Sequence, residues 1–217
     1  MLLSVGVVAA GAVATNNGQT RGVVLFVGDS NVTLGAGAVE WALTRKDNQY
    51  VPVLASRMGG RIRTPDCPVV NGCKTFNYWR FKLDSFRSKV NADVIVSDLG
   101  INDTIEPGTA TGPGYSFYGR KIDWFMGLVR GKPVLWTTLP CSLEPPDRRT
   151  GCKTVNYELY RAHDRWPNLT ILAWGNKAIG HQQYMAQPGR GVHYSDAGHT
   201  AWAEFVAAAL DARFPAP

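Results

Sequence analysis

Short apolar, β-branched runs recur along this chain, separated by helix-like segments, and that alternation constrains the fold more than any other feature. Residues 23–27, 69–70 with their flanks, 94–97, 134–137 and 169–173 read as strands buried on both faces. Helical patterns fall at 49–58, 78–90, 117–129 and 154–165. The last helix is the plainest. Trp202, Phe205, Val206, Ala209 and Leu210 repeat at helical spacing, and Ser195 or Asp196 can cap its start. Alternating strands and helices imply an α/β three-layer sandwich around a parallel sheet. Ligands of such sheets bind beyond the carboxyl ends of the strands. The longest irregular stretches, 107–118 and 141–152, both follow strand ends and are expected to rim a cleft.

A chain of 217 residues suits one domain and can bury a full core. Residues 21–217 are read as that domain and residues 1–20 as a leader. Residues 2–14 are small and apolar and end in Ala12-Val13-Ala14, a pattern like a signal-peptidase site, although no basic residue precedes them. The run is too short to span a bilayer, which takes about 20 residues. Four cysteines fall into two local pairs, Cys67 with Cys73 and Cys141 with Cys152. Three connectivities are open, and the local one closes two loops at low strain. Leader and cysteines together suggest a secreted or envelope-associated protein. Neither pair has metal-ligand spacing, so no metal and no cofactor are expected.

The net charge is +6, and residues 57–89, with eight basic and two acidic side chains, account for all of it. That stretch is first a solvated face and second a contact for an anionic envelope surface. No nucleic-acid motif accompanies it, and nucleic acid is not expected as a partner.

Three elements carry chemistry. The first strand runs into Gly28-Asp29-Ser30-Asn31, which exposes a serine above the sheet, although Gly-Asp-Ser is also good turn chemistry. The third strand ends in Gly100-Ile101-Asn102-Asp103, where the Asn102 amide could point N–H at a developing oxyanion. His193 precedes the final helix within Gly191-Val192-His193-Tyr194-Ser195-Asp196-Ala197-Gly198. Asp29 and Asp103 are expected to hold loops by accepting backbone N–H groups.

In these blocks the sequence resembles the SGNH (GDSL-type) hydrolase family, from about Gly22 to Leu210. Gly28-Asp29-Ser30 is similar to its nucleophile block, Gly100-Ile101-Asn102-Asp103 to its GxND block, and Val192-His193 with Ser195 to Gly198 to its histidine block. The remaining block supplies a glycine after the second strand. Gly72 is the candidate, with Gly59 or Gly60 as the fallback. The resemblance implies a flavodoxin-like sheet of five parallel strands and metal-free hydrolysis of O-acyl esters. Ser30 would be the nucleophile, His193 the base, and the Ser30 N–H, the Gly72 N–H and the Asn102 amide the oxyanion donors. The substrate would be a small ester or an acylated glycan or lipid.

The family carries an Asp three residues before its histidine, where this chain has Arg190. A guanidinium has donors only and cannot accept the imidazole proton. The expectation is therefore a Ser–His dyad in which the Arg190 main-chain carbonyl orients His193, with Asp196 as the lesser candidate. An O-acyltransferase on envelope sugars would use the same site. A binding module that kept the fold without the chemistry is the alternative from a different class.

Overall fold

The computed structural model describes residues 20–45, 49–62, 91–104, 117–129 and 131–214. Five strands form one parallel sheet: β1 Gly22–Gly28, β2 Tyr50–Ser56, β3 Val94–Ser97, β4 Val134–Thr137 and β5 Leu169–Leu172, in the order β2-β1-β3-β4-β5. β1 lies between β2 and β3, with Val24 opposite both Pro52 and Val94. The chain turns to one side of β1 to make β2 and to the other to make β3. The C-terminal edge between β1 and β3 is therefore the switch point at which such sheets bind ligands.

The second strand corrects the sequence expectation. Residues 49–58 were expected to be helical, yet Tyr50–Ser56 is the edge strand. Pro52 interrupts the period-two pattern of Val51 and Val53, and an edge strand is where a sheet tolerates proline, because no partner needs its N–H. Residues 69–70 and the helix expected at 78–90 lie outside the described residues. So do Cys67, Cys73, residues 2–14 and the basic stretch beyond residue 62.

Helices cover both faces. Val24, Phe26, Val94, Val96 and Leu135 pack against α2 (Ala36–Thr44) and α6 (Asp196–Arg213) through Val39, Leu43, Trp202, Val206 and Leu210. Leu25, Val27, Ile95, Val134 and Trp136 pack on the other face against α3 (Phe117–Leu128) and α4 (Arg149–His163) through Tyr118, Ile122, Phe125, Val155 and Leu159. Strand side chains alternate in direction, so these continuous apolar strands feed two cores at once. Short helices α1 (Ser30–Leu34) and α5 (Trp174–Lys177) follow β1 and β5 directly. α4 begins five residues earlier than its expected start at 154. Its first turn carries Cys152, which is bonded to Cys141 across a Cα–Cα distance of 5.5 Å. Among the described residues, no helix is long and apolar enough to cross a membrane.

Candidate active site

Ser30 is the first residue of α1, immediately beyond β1, and is 2% exposed. The Asp29 side chain caps this short helix by accepting the Asn31 N–H at 2.9 Å, as expected of it. β3 delivers Asn102 to the same edge. Gly100 turns the chain at φ 138°, a conformation that favours glycine, and Ile101–Asp103 then forms one 3-10 turn. The Asn102 Nδ2 donates to Asp29 Oδ2 at 3.2 Å and to the Gly60 carbonyl at 3.0 Å. One amide thus ties together the ends of β1, β2 and β3.

Gly60 occupies the place where a glycine after the second strand was expected. β2 is Tyr50–Ser56, so the fallback glycines Gly59 and Gly60 follow it directly, and Gly72 lies outside the described residues. A Cβ at Gly60 would stand 2.9 Å from the Gly28 carbonyl and 3.2 Å from Asp29 Cα. The backbones approach too closely there for any side chain. The Gly60 N–H is engaged, donating to the Arg57 carbonyl at 3.0 Å.

Asp103 also does what was expected of it. Its carboxylate accepts the Ile62 N–H at 2.9 Å, and it further pairs with Lys121 of α3 at 2.7 Å, with both side chains buried. A buried pair of this kind holds its elements in one arrangement, because removing either partner strands a charge.

His193 is half-buried in the loop before α6. Its carbonyl accepts the Ala186 N–H at 3.0 Å, and Tyr194 bridges back to Met185. Asn31 joins this loop to α1. Its Nδ2 donates to the Val192 carbonyl at 3.1 Å, and its Oδ1 accepts the Tyr194 N–H at 2.9 Å. Among the described residues, neither the Ser30 hydroxyl nor the His193 ring makes a hydrogen bond. Among the described residues, neither the Arg190 carbonyl nor a carboxylate is hydrogen-bonded to that ring. Ser195 is the α6 cap, accepting the Gly198 N–H at 3.1 Å, which leaves Asp196 exposed in the first turn.

Close to these residues lies a group of buried acids, of which the sequence reading singled out only Asp29. Asp29, Asp98 and Glu144 are all 2% exposed or less. Burial holds the Asp29 carboxyl well above the usual carboxylate range, and the neighbouring Asp98 adds to the effect. Burial likewise pushes Asp98 up to about 7, against a hydrogen bond from Thr137 that favours the charged form. It pushes Glu144 up to about 8, although Arg148 pulls the other way. The Tyr194 hydroxyl, which accepts the Trp174 Nε1 hydrogen at 3.0 Å, is raised by burial and then by these carboxyls. No sequence signal marks Glu144, because its neighbours are brought to it from β1, β3 and the loop at 194.

A cleft of about 360 Å³ flanks α1, lined by Leu34, Trp41, Asp196, His199 and Thr200 among others. Burial lowers the His199 pKa, and nearby His193 lowers it further while Asp196 opposes the shift. Among the described residues, no cluster of His, Cys, Asp and Glu could hold a metal ion.

No family model matches this chain, and no curated protein matches it. Solved structures do. A lipase/acylhydrolase from Enterococcus faecalis superposes with a TM-score of 0.63 at 13% identity, covering 88% of this chain and 96% of its own. The C-terminal catalytic domain of Streptococcus pneumoniae peptidoglycan O-acetyltransferase A, carrying a methylsulfonyl adduct, gives 0.63 at 14% identity, with 89% and 95% covered. A GDSL-like lipase from Bacteroides thetaiotaomicron gives 0.61 at 14%, with 89% of each chain covered. The chain has the α/β fold shared by these acylhydrolases and this acyltransferase domain.

Proposed function

We propose that the protein is a serine hydrolase of O-acyl esters, with Ser30 as the nucleophile and His193 as its general base. The observation that carries this reading is the meeting of three strand ends at one switch point. Ser30 follows β1, the Asn102 amide follows β3 against Gly60 after β2, and Asn31 anchors the His193 loop to the Ser30 helix. The shared fold of lipases, acylhydrolases and an O-acetyltransferase domain supports acyl chemistry of this class.

A serine hydroxyl is a poor nucleophile at neutral pH and needs a base in hydrogen-bond reach. His193 takes the Ser30 proton as Oγ attacks the ester carbonyl. It then protonates the leaving alkoxide, and water resolves the acyl-enzyme by the reverse sequence. The Ser30 N–H, at the start of α1, and the Asn102 amide stabilise the tetrahedral oxyanion. Asn102 serves by turning one N–H from Asp29 toward the developing charge. That exchange is helped by the burial of Asp29, which raises its carboxyl pKa, because a carboxyl that carries less charge competes less for the amide.

Among the described residues no carboxylate is hydrogen-bonded to the His193 ring, which supports a Ser–His dyad over a triad. In that dyad the Arg190 carbonyl meets Nδ1 only once substrate tightens the site, since catalytic hydrogen bonds are often long without substrate. An acceptor hydroxyl in place of water would make the same site a transferase. An acylated glycan or lipid in the cell envelope remains the substrate class we favour, and the Cys141–Cys152 bond supports an exported protein.

A fluorophosphonate probe tests the assignment directly. It should label the wild type at Ser30, and Ser30→Ala should lose both labelling and short-chain ester hydrolysis. His193→Ala should lose nearly as much, and the double variant no more, because the two residues act as one unit. Activity near wild type in Ser30→Ala would overturn the reading.

A further inference from the structure

The His193 loop lacks the carboxylate that would orient the base through its side chain, yet the structure holds it from another direction. We infer that Asn31 is the positioning residue for the base, acting through the main chain on both sides of His193. This rests on the hydrolase reading above and goes beyond it, because it says what sets the geometry of the dyad.

Asn31 is 3% exposed and lies 161 residues from Val192. Its amide spends one donor and one acceptor on the two residues that flank His193: the Val192 carbonyl at 3.1 Å and the Tyr194 N–H at 2.9 Å. That pairing reads one peptide stretch in one register, as a neighbouring strand would. The Asn31 backbone is itself fixed, since its N–H is held by the Asp29 carboxyl and its carbonyl accepts the Gly35 N–H at 2.9 Å. Nucleophile and clamp are adjacent residues on α1, so any movement of the helix carries Ser30 and the His193 loop together. Otherwise the described hydrogen bonds of residues 192–195 run to residues 183–186, to Trp174 and to the start of α6, none of them on α1. Without Asn31, no described hydrogen bond couples the base loop to the nucleophile helix. The amide is required in both senses. Leucine has neither group, and ionised aspartate would keep the acceptor but set a negative charge against the Val192 carbonyl.

The test compares wild type, Ser30→Ala, Asn31→Ala and Asn31→Asp by aryl-ester kinetics, active-site titration and hydrogen exchange. Asn31→Ala should keep its full titre of reactive serine and a KM within about threefold, while kcat falls about 100-fold, the scale expected for a reacting group misplaced by about 1 Å. The Tyr194 amide should exchange at least about tenfold faster than in wild type, with the amides of β3 unchanged. A role in folding alone would lower the titre and leave the kcat of the remaining active fraction untouched. Should Asn31→Ala fail to fold, Asn31→Asp decides, with kcat reduced and KM kept at neutral pH. A folded variant with kcat within about threefold of wild type overturns the proposal. A wild type inert to both probe and ester overturns the hydrolase reading instead, a result that no Asn31 variant can produce.

Discussion

At the scale of single residues, the site depends on the Asn102 amide, whose two N–H donors are both engaged. The two Asn102 hydrogens are directed at Asp29 and Gly60, and the oxyanion must displace one of them. An interaction gained only as the tetrahedral intermediate forms should appear in kcat. Asn102→Ala is therefore expected to lower kcat by about 100-fold or more with little change in KM. Steady-state kinetics on a short-chain aryl ester measure this, and a change confined to KM would make Asn102 a substrate-binding residue. Arg190 is exposed, and its N–H donates to the Gln187 carbonyl at 3.0 Å.

At the scale of elements, β1 and β3 each lead into a tightly built turn that carries a candidate site residue. α6 shows how local chemistry sets an element's start. Ser195 has extended backbone, caps the Gly198 N–H, and sends its own hydroxyl hydrogen to the Gln183 carbonyl. Asp196 adds only charge near the helix N-terminus, a smaller and screened effect. Ser195→Ala should thus cost about 1 kcal/mol of stability. Asp196→Asn should cost a few tenths of a kcal/mol at most. Denaturant unfolding of the two variants separates them, and equal losses would show that the cap is shared. Because Ser195 lies two residues from His193, its loss should also loosen the base loop from its C-terminal side.

At the scale of the whole molecule, the buried acids couple stability to pH. A carboxyl kept neutral by burial binds its proton more tightly in the folded chain than in the unfolded one. Its stabilising contribution is complete below the ordinary carboxylate pKa of about 4 and is lost as pH rises through the folded value. Those folded values are about 7 for Asp98 and about 8 for Glu144. Stability should therefore fall between about pH 5 and about pH 8, by up to about 1.4 kcal/mol per pH unit for each group, and the melting temperature with it. Glu144→Gln, which cannot ionise, should flatten the upper part of that fall in thermal melts recorded across the range. An unchanged slope would mean that Glu144 is charged at neutral pH, compensated by Arg148.

What could be read from the chain alone was whatever depends on neighbours in sequence. Buried runs at 23–27, 94–97, 134–137 and 169–173 announce strands because β-branched apolar residues need two covered faces, and α6 announces itself by its period. Ser30, Asn102 and His193 were placed correctly at two strand ends and before the last helix. Tertiary structure decided the remainder. Edge position admits Pro52 into β2, a fact invisible to periodicity, and with it the glycine beside Asp29 becomes Gly60. Packing of distant segments makes acids of Asp98 and Glu144 that hold their protons near neutrality, since desolvation depends on what surrounds a group and not on its flanking residues. The Asn31 clamp on the His193 loop is of the same kind: a hydrogen bond carries no trace in a sequence when its two ends lie 161 residues apart, and only the closing of the sheet brings them within 3.1 Å.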